Sequence, residues 1–340
     1  SYPTLEGISW VQLAMTIVVS LLSAYYYRRF YSLGNTLRHM LAAPNWKPLA
    51  RFSFPVMITD LLRALLTQLD VLMLARFVPQ DQIYLVGVYV LARRLASVVL
   101  KAPQAVDPIF SPVVSELAVR ERFAELGQRF VVISRWILFV NLPIFATILT
   151  IGDTLLPLLA GAASLTQAEV EVGIRILYIL CAGMTVFSAF SSIGSLLTMS
   201  GRPYLNMGNN VVWLAANFLL NLWFIDHFGI IGAALGATLS RFLVNALWIG
   251  EVYGIHDILP FHRSQAKPLL AAAVGAVVGW LLGQVLPEPL WSAAGFLIGF
   301  LISYFLVLLA LGIESEERDL CARVGARIMR CFGLLRLVRS

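Results

Sequence analysis

Long apolar stretches recur along the whole chain, and they restrict its fold more than any other feature. They run over about 8–26, 54–77, 83–106, 131–157, 173–199, 208–226, 230–250, 268–286 and 290–312. A helix needs about 20 apolar residues to cross the hydrocarbon of a bilayer. The stretches therefore predict an all-α polytopic membrane protein with about nine transmembrane helices. Composition agrees: 59% of the 340 residues are hydrophobic and 13% are charged. A soluble domain carries roughly 45–50% and about 25% respectively.

The positions of the basic residues test this threading independently. One set of alternate loops holds Arg28, Arg29, Arg38, Lys47, Arg51, Arg120, Arg122, Arg129, Arg202, Arg263 and Lys267. With the six arginines after residue 312, that set contains 17 of the 25 Lys and Arg. The opposite loops hold none and carry Asp81, Glu169, Glu171, Asp226 and Glu288. Lys and Arg collect on the cytoplasmic side of a membrane protein, so the chain is predicted to start outside and end in the cytoplasm. The tail, 313–340, repeats Leu320, Val324, Ile328, Phe332 and Leu335 at helical spacing among arginines. It reads as a basic amphipathic helix lying on anionic phospholipids. Nucleic acid is not expected as a partner.

Three cysteines, Cys181, Cys321 and Cys331, form neither a metal spacing nor a disulfide framework. The chain begins with Ser, and no basic flank precedes its first helix, so no signal peptide is expected. A further N-terminal portion is expected to precede residue 1. No phosphate-cradling GxxxxGK[ST], HExxH or GxSxG occurs, and the four histidines do not cluster. Neither enzymatic activity, a metal nor a cofactor is expected.

Charges within the apolar stretches single out a site. Arg76, Arg135 and Arg175 lie near helix ends, close enough to snorkel. Arg63, Arg93 and Arg241 lie deeper, where an unpaired charge costs at least about 2.5–3.5 kcal/mol. Residues three or four apart share a helix face. Asp60, Arg63, Thr67 and Asp70 form one such stripe, and Tyr89, Arg93, Ser97, Lys101 and Gln104 form a second. Asn210, Asn217 and Asn221 make a third, and Thr238, Arg241 and Asn245 a fourth. Two readings stay open. In one, Asp60 and Asp70 pair with Arg63 and Arg93, and the asparagines bond across helices. In the other, the stripes converge on a cavity for an anion, because within the striped helices Arg63, Arg93, Arg94, Lys101 and Arg241 outnumber Asp60 and Asp70 and arginine binds phosphate in a two-pronged fashion. That cavity would be lined by Arg63, Arg93, Lys101 and Arg241, with Tyr89, Asn210, Asn217, Asn221 and Asn245 as polar lining. Glycines four apart (Gly232 and Gly236; Gly275, Gly279 and Gly283; Gly295 and Gly299) predict close helix packing.

Two segments carry a family resemblance. In residues 201–240 a Gly201-Arg202 loop leads into a helix with Asn217 and Asn221, then a Phe228-Gly229 turn, then Gly232-Ala233-Ala234. In residues 52–95 a proline lies near the helix entry, Asp70 deep in the helix, and Gly87 and Tyr89 follow. Both resemble the polysaccharide flippases of the MOP (multidrug/oligosaccharidyl-lipid/polysaccharide) exporter superfamily. The resemblance implies two lobes of six helices, with two extra helices in some members. Residues 1–52 would be the last helix of the first lobe and a cytoplasmic linker. Residues 53–255 would be the second lobe, 256–312 the two extra helices, and 313–340 the basic tail.

The resemblance also implies a function, the movement of undecaprenyl-pyrophosphate-linked oligosaccharide across a bacterial inner membrane for surface polysaccharide. Arg63, Arg93 and Arg241 would then meet the pyrophosphate, and Asp70 would couple transport to an ion or proton. Glycan-assembly membrane proteins would be further partners. Three alternatives are a multidrug exporter, which should show an acidic cavity, a glycan polymerase, which needs catalytic residues at one face, and a scaffold.

Overall fold

The computed structural model describes residues 5–30, 46–160, 165–285 and 289–312. The predicted amphipathic tail, with Cys321 and Cys331, lies outside them. All regular structure among the described residues is helical. The helices are α1 (Leu5–Phe30), α2 (Lys47–Phe77), α3 (Tyr84–Ala96), α4 (Lys101–Val119) and α5 (Phe123–Ala160), followed by α6 (Gln167–Phe190), α7 (Ser192–Met199), α8 (Pro203–His256), α9 (Ala266–Val285) and α10 (Pro289–Ala310). The chain divides into two units, Ser1–Phe54 and Pro55–Ser340. The first contains α1, with a mainly apolar stretch at Trp10–Tyr26, and the opening of α2.

Among the described residues, five helical stretches are long and apolar enough to cross a membrane: 123–159, 167–199, 203–256, 263–285 and 291–310. The third is far too long for one crossing, because 54 residues would extend about 80 Å. It folds back on itself at Gly229 (φ 58°, ψ −137°), a backbone conformation open only to glycine. The contacts of its two arms prove the reversal. Asn221 meets Gly236, Asn217 bonds Ser240, Trp213 packs on Trp248, and Asn209 bonds Glu251. As one arm steps back, the other steps forward, which is an antiparallel helical hairpin. Its break falls between the stretches 208–226 and 230–250, at the Phe-Gly turn that the sequence marks.

One stretch differs from its sequence reading. The segment 83–106 is not a single straight span. A 3₁₀ turn, Ser97–Leu100, separates α3 from α4, and α4 continues to Val119. Pro108 and Pro112 sit inside α4 and remove backbone donors there. The continuation is too polar and proline-rich to register as an apolar stretch. At the start of α6, the Thr166 hydroxyl accepts from the Glu169 N–H, and the Glu169 carboxylate accepts from the Thr166 N–H at 2.8 Å. Such a reciprocal cap contributes about 1 kcal/mol.

In the second unit, α3, α5, α6 and α8 meet around Leu74, Tyr89, Leu177, Leu180 and Ala237. A second cluster joins Phe110 of α4 and Phe130 of α5 to Phe187 and Trp248. The hairpin α9–α10 docks on α5 through Ala271, Phe300 and Tyr304, and the Tyr304 hydroxyl donates to the Phe139 carbonyl at 3.0 Å. Its other side exposes Leu270, Trp280, Ile302, Phe305 and Leu309. A continuous apolar surface of that kind fits contact with lipid rather than water.

Glycine sets the approach of α9 to α10. A Cβ at Gly279 would lie 2.7 Å from the Phe296 carbonyl oxygen, and one at Gly275 would lie 3.2 Å from the Phe300 carbonyl oxygen. Gly279→Val is expected to force the helices apart and cost about 1–3 kcal/mol. The measurement is thermal unfolding of the protein in nanodiscs, and an unchanged Tm would contradict the close approach.

Candidate functional site

The striped helices enclose a cavity of about 210 Å³ inside the second unit. Its polar wall is Arg63 and Thr67 of α2, Gln104 and Asp107 of α4, and Asn217 and Arg241 from the two arms of α8. Its apolar wall includes Phe187, Trp213 and Trp248. All four polar stripes thus reach one space, through Arg63 and Thr67, Gln104, Asn217 and Arg241 respectively. A larger cavity, about 550 Å³, is lined between residues 123–135 and 256–264, with Arg135, His256 and His262 among its walls. None of the striped residues lines it, so it is not the site the stripes build.

Each arginine of the smaller cavity is tethered to a neutral acceptor. Arg63 Nε donates to Asn210 Oδ1 at 3.4 Å, and Asn210 in turn donates to the Asn206 carbonyl at 2.7 Å. Arg241 Nη1 donates to the Ala237 carbonyl, one turn back on its own helix, at 2.9 Å. Gly194 makes room beside Arg63. A Cβ there would lie 3.2 Å from Arg63 Nη2 and 3.1 Å from the Trp248 ring. Asp107 is the carboxylate of the cavity and accepts from the Ser192 hydroxyl at 2.6 Å. With two guanidiniums against one carboxylate, the wall carries an excess of positive charge. Guanidiniums fixed in a low-dielectric space attract an anion more strongly than they would in water.

The other singled-out residues fall around this cavity rather than in it. Arg93 Nη1 donates to the Thr67 carbonyl, and Lys101 Nζ donates to Gln104 Oε1 at 3.2 Å. Both therefore touch residues of the wall. Asn245 Nδ2 donates to the Phe187 carbonyl at 3.3 Å, beneath the aromatic wall. Asp60 is exposed, and among the described residues neither Asp60 nor Asp70 closes an ion pair with Arg63 or Arg93. Asp70 is instead 1% exposed and held by neutral donors. Tyr89 Oη donates to it at 3.1 Å and Asn221 Nδ2 at 2.9 Å. Asn221 also reaches Asn217 Oδ1 at 3.2 Å, and Asn217 donates to Ser240 Oγ at 3.1 Å. A buried polar chain therefore runs from Asp70 to Asn217 on the cavity wall.

Among the wall residues that sequence reasoning did not find are Asp107, Ser191, Phe187, Trp213 and Trp248. Asp107 had a signal, since it continues the stripe of Lys101 and Gln104 by one further step of three. The aromatics had none, because aromatic side chains on an apolar background show no distinct period.

Residues 2–117 match the model of a family described as polysaccharide biosynthesis protein. The probable low-salt glycan biosynthesis flippase Agl15 of Haloferax volcanii is 27% identical over 200 residues, covering 58% of this chain and 40% of that protein. The uncharacterized membrane protein MJ1068 of Methanocaldococcus jannaschii is 31% identical over 93 residues, or 26% of this chain and 17% of that protein. Among solved structures, the lipid II flippase MurJ in an inward closed conformation aligns with a TM-score of 0.60 at 16% identity. That alignment covers 79% of this chain and 54% of that one. The chain thus spans about half, or less, of the proteins it matches. It is similar in sequence to a protein named as a probable glycan biosynthesis flippase, and its fold is similar to that of MurJ.

Proposed function

We propose that this chain takes part in flipping a lipid-linked oligosaccharide across a membrane, with the diphosphate of the lipid carrier drawn to the cavity of Arg63 and Arg241. The observation that carries this reading is the excess of fixed guanidinium charge in a cavity walled in part by helices 167–199 and 203–256, which are long and apolar enough to cross a membrane. A cation exporter would need the opposite balance. The names of Agl15 and MurJ, both flippases, support the same class of activity. The carrier we propose is undecaprenyl pyrophosphate in a bacterial inner membrane, with the start of this chain outside and its end in the cytoplasm. Arg93 and Lys101, bonded to wall residues, would raise the positive potential at the cavity. Asp70, joined to the wall through the asparagines, would be the coupling group. Residues 313–340 would rest on anionic phospholipids, and glycan-assembly membrane proteins would be neighbours.

Deleting the gene that encodes this chain in its source organism tests the reading. Lipid-linked oligosaccharide should accumulate on the cytoplasmic side, and surface polysaccharide should fall. Restoring the gene with Arg63→Ala or Arg241→Ala should leave protein in the membrane but lower export about tenfold or more, as expected when one charged hydrogen-bond donor to phosphate is lost. Normal export from both variants would overturn the role of the cavity.

A further inference from the structure

One carboxylate, Asp107, stands among the guanidiniums of the smaller cavity, where attraction of an anion does not call for it. Lys101, Gln104 and Asp107 step by three along α4, so the helix that brings Gln104 to the wall brings Asp107 too. A second helix fixes it there. Ser192, fully buried at the start of α7, donates its hydroxyl to Asp107 Oδ1 at 2.6 Å.

Three tasks are open to this group. The first is to tie α4 to α7 through Ser192. An asparagine would accept that hydrogen bond as well, and would not bring a charge that is costly to take out of water. The second is to neutralise the arginines. A buried ion pair is favourable only in close, well-bonded geometry. Among the described residues, no ion pair joins Asp107 to Arg63 or Arg241. Both guanidiniums keep neutral partners instead, Asn210 and the Ala237 carbonyl. The third task is to act on the occupant. A carboxylate held beside a bound anion repels it, and in a space of low dielectric constant the repulsion is much larger than in water.

We propose that Asp107 sets how long the cavity holds its anion, by opposing the pull of Arg63 and Arg241 so that the diphosphate binds and still leaves. Passage through a membrane needs binding strong enough to enter and weak enough to leave. Two fixed guanidiniums without a counterweight meet only the first need. This rests on the flippase reading and deepens it, from the groups that attract the substrate to the group that releases it.

The test uses the 340-residue chain in nanodiscs, with undecaprenyl pyrophosphate as the probe and tryptophan fluorescence as the readout, since Trp213 and Trp248 line the cavity. Asp107→Asn keeps an acceptor for Ser192 and removes the charge. It should bind the probe about tenfold or more tighter than the wild type, the scale of one unit charge a few ångströms away inside a protein, and release it correspondingly slowly. Asp107→Glu keeps the charge and should bind as the wild type does. Arg63→Ala should bind more weakly. In cells that carry Asp107→Asn in place of the native gene, export should fall although affinity has risen. A gain in affinity does not come from a damaged fold, so it separates an effect of charge from one of structure. Unchanged or weaker binding by Asp107→Asn, with Arg63→Ala weakened, would overturn the release role and leave the flippase reading standing. Equal tightening in Asp107→Glu would also overturn it, as would tighter binding by Asp107→Asn with export undiminished. Binding of the probe by neither the wild type nor Asp107→Asn would overturn both readings.

Discussion

Gly232→Ala is expected to cut the yield of folded protein severely, the largest loss of any single methyl addition at the described glycines. A Cβ at position 232 would lie 1.9 Å from the Phe224 carbonyl oxygen, 2.3 Å from its carbon and 2.9 Å from the Ile225 nitrogen. All three are backbone atoms of the facing arm of α8, so no side chain can turn aside. Relief requires the arms to separate, and separation would also pull apart Asn217 and Ser240, and Asn221 from Gly236. Overpacking that forces backbone to shift costs about 1–3 kcal/mol or more, and the lost buried Asn217–Ser240 hydrogen bond adds about 1 kcal/mol. Together these remove a large part of the stability of an ordinary domain, about 5–15 kcal/mol. Two other glycines of the same helix set the scale. Gly229→Ala meets open space but a strained backbone, and should cost about 1–3 kcal/mol. Gly250→Ala meets nothing within 4 Å and should gain up to about 1 kcal/mol of helix propensity. Fluorescence-detected size exclusion of detergent extracts would rank the three. A monodisperse peak of wild-type height from Gly232→Ala would refute the tight hairpin.

That hairpin shows what the sequence makes legible and what it does not. Gly229 could be read, because a glycine after an aromatic residue, with Gly232 and Ala233 following, marks a reversal between two apolar stretches. The stripe residues could also be read, since spacing of three or four fixes which way a side chain faces around its own helix. Spacing does not fix how deep a residue sits or which helix faces it. Arg63 and Asp70 share a face of α2, yet they lie seven residues apart, about two turns or roughly 10 Å. At that distance one reaches the cavity, while the other is sealed against Tyr89 and Asn221. Pairing Asp70 with Arg93 was reasonable on charge alone. The structure satisfies the carboxylate with an amide and a phenol and turns Arg93 to the Thr67 carbonyl. The aromatic wall stayed hidden for a different reason. In a membrane protein, tryptophan and phenylalanine are common on every face, so only the fold shows that Phe187, Trp213 and Trp248 meet.

The seal around Asp70 leads to the second large effect. Asp70→Ala should cost about 1–3 kcal/mol, because it leaves Tyr89 Oη buried without its acceptor, while Asn221 Nδ2 loses one of its two acceptors and keeps Asn217 Oδ1. The loss reaches three chain segments, since Asp70 lies on α2, Tyr89 on α3 and Asn221 on the first arm of α8. Asp70→Asn keeps the shape and one acceptor oxygen, and it removes a carboxylate that is costly to desolvate. It should therefore cost less than alanine. A double-mutant cycle separates this network from simple loss of packing. Tyr89→Phe alone removes one donor, and in the Asp70→Ala background there is no acceptor left for that donor to lose. The combined cost should fall short of the sum by about 0.5–3 kcal/mol, as for groups in direct contact. Unfolding in mixed micelles, followed by far-ultraviolet circular dichroism, would measure all four corners. Strict additivity would mean that Tyr89 and Asp70 act independently, and the hydrogen bond between them would carry no coupling between α2 and α3.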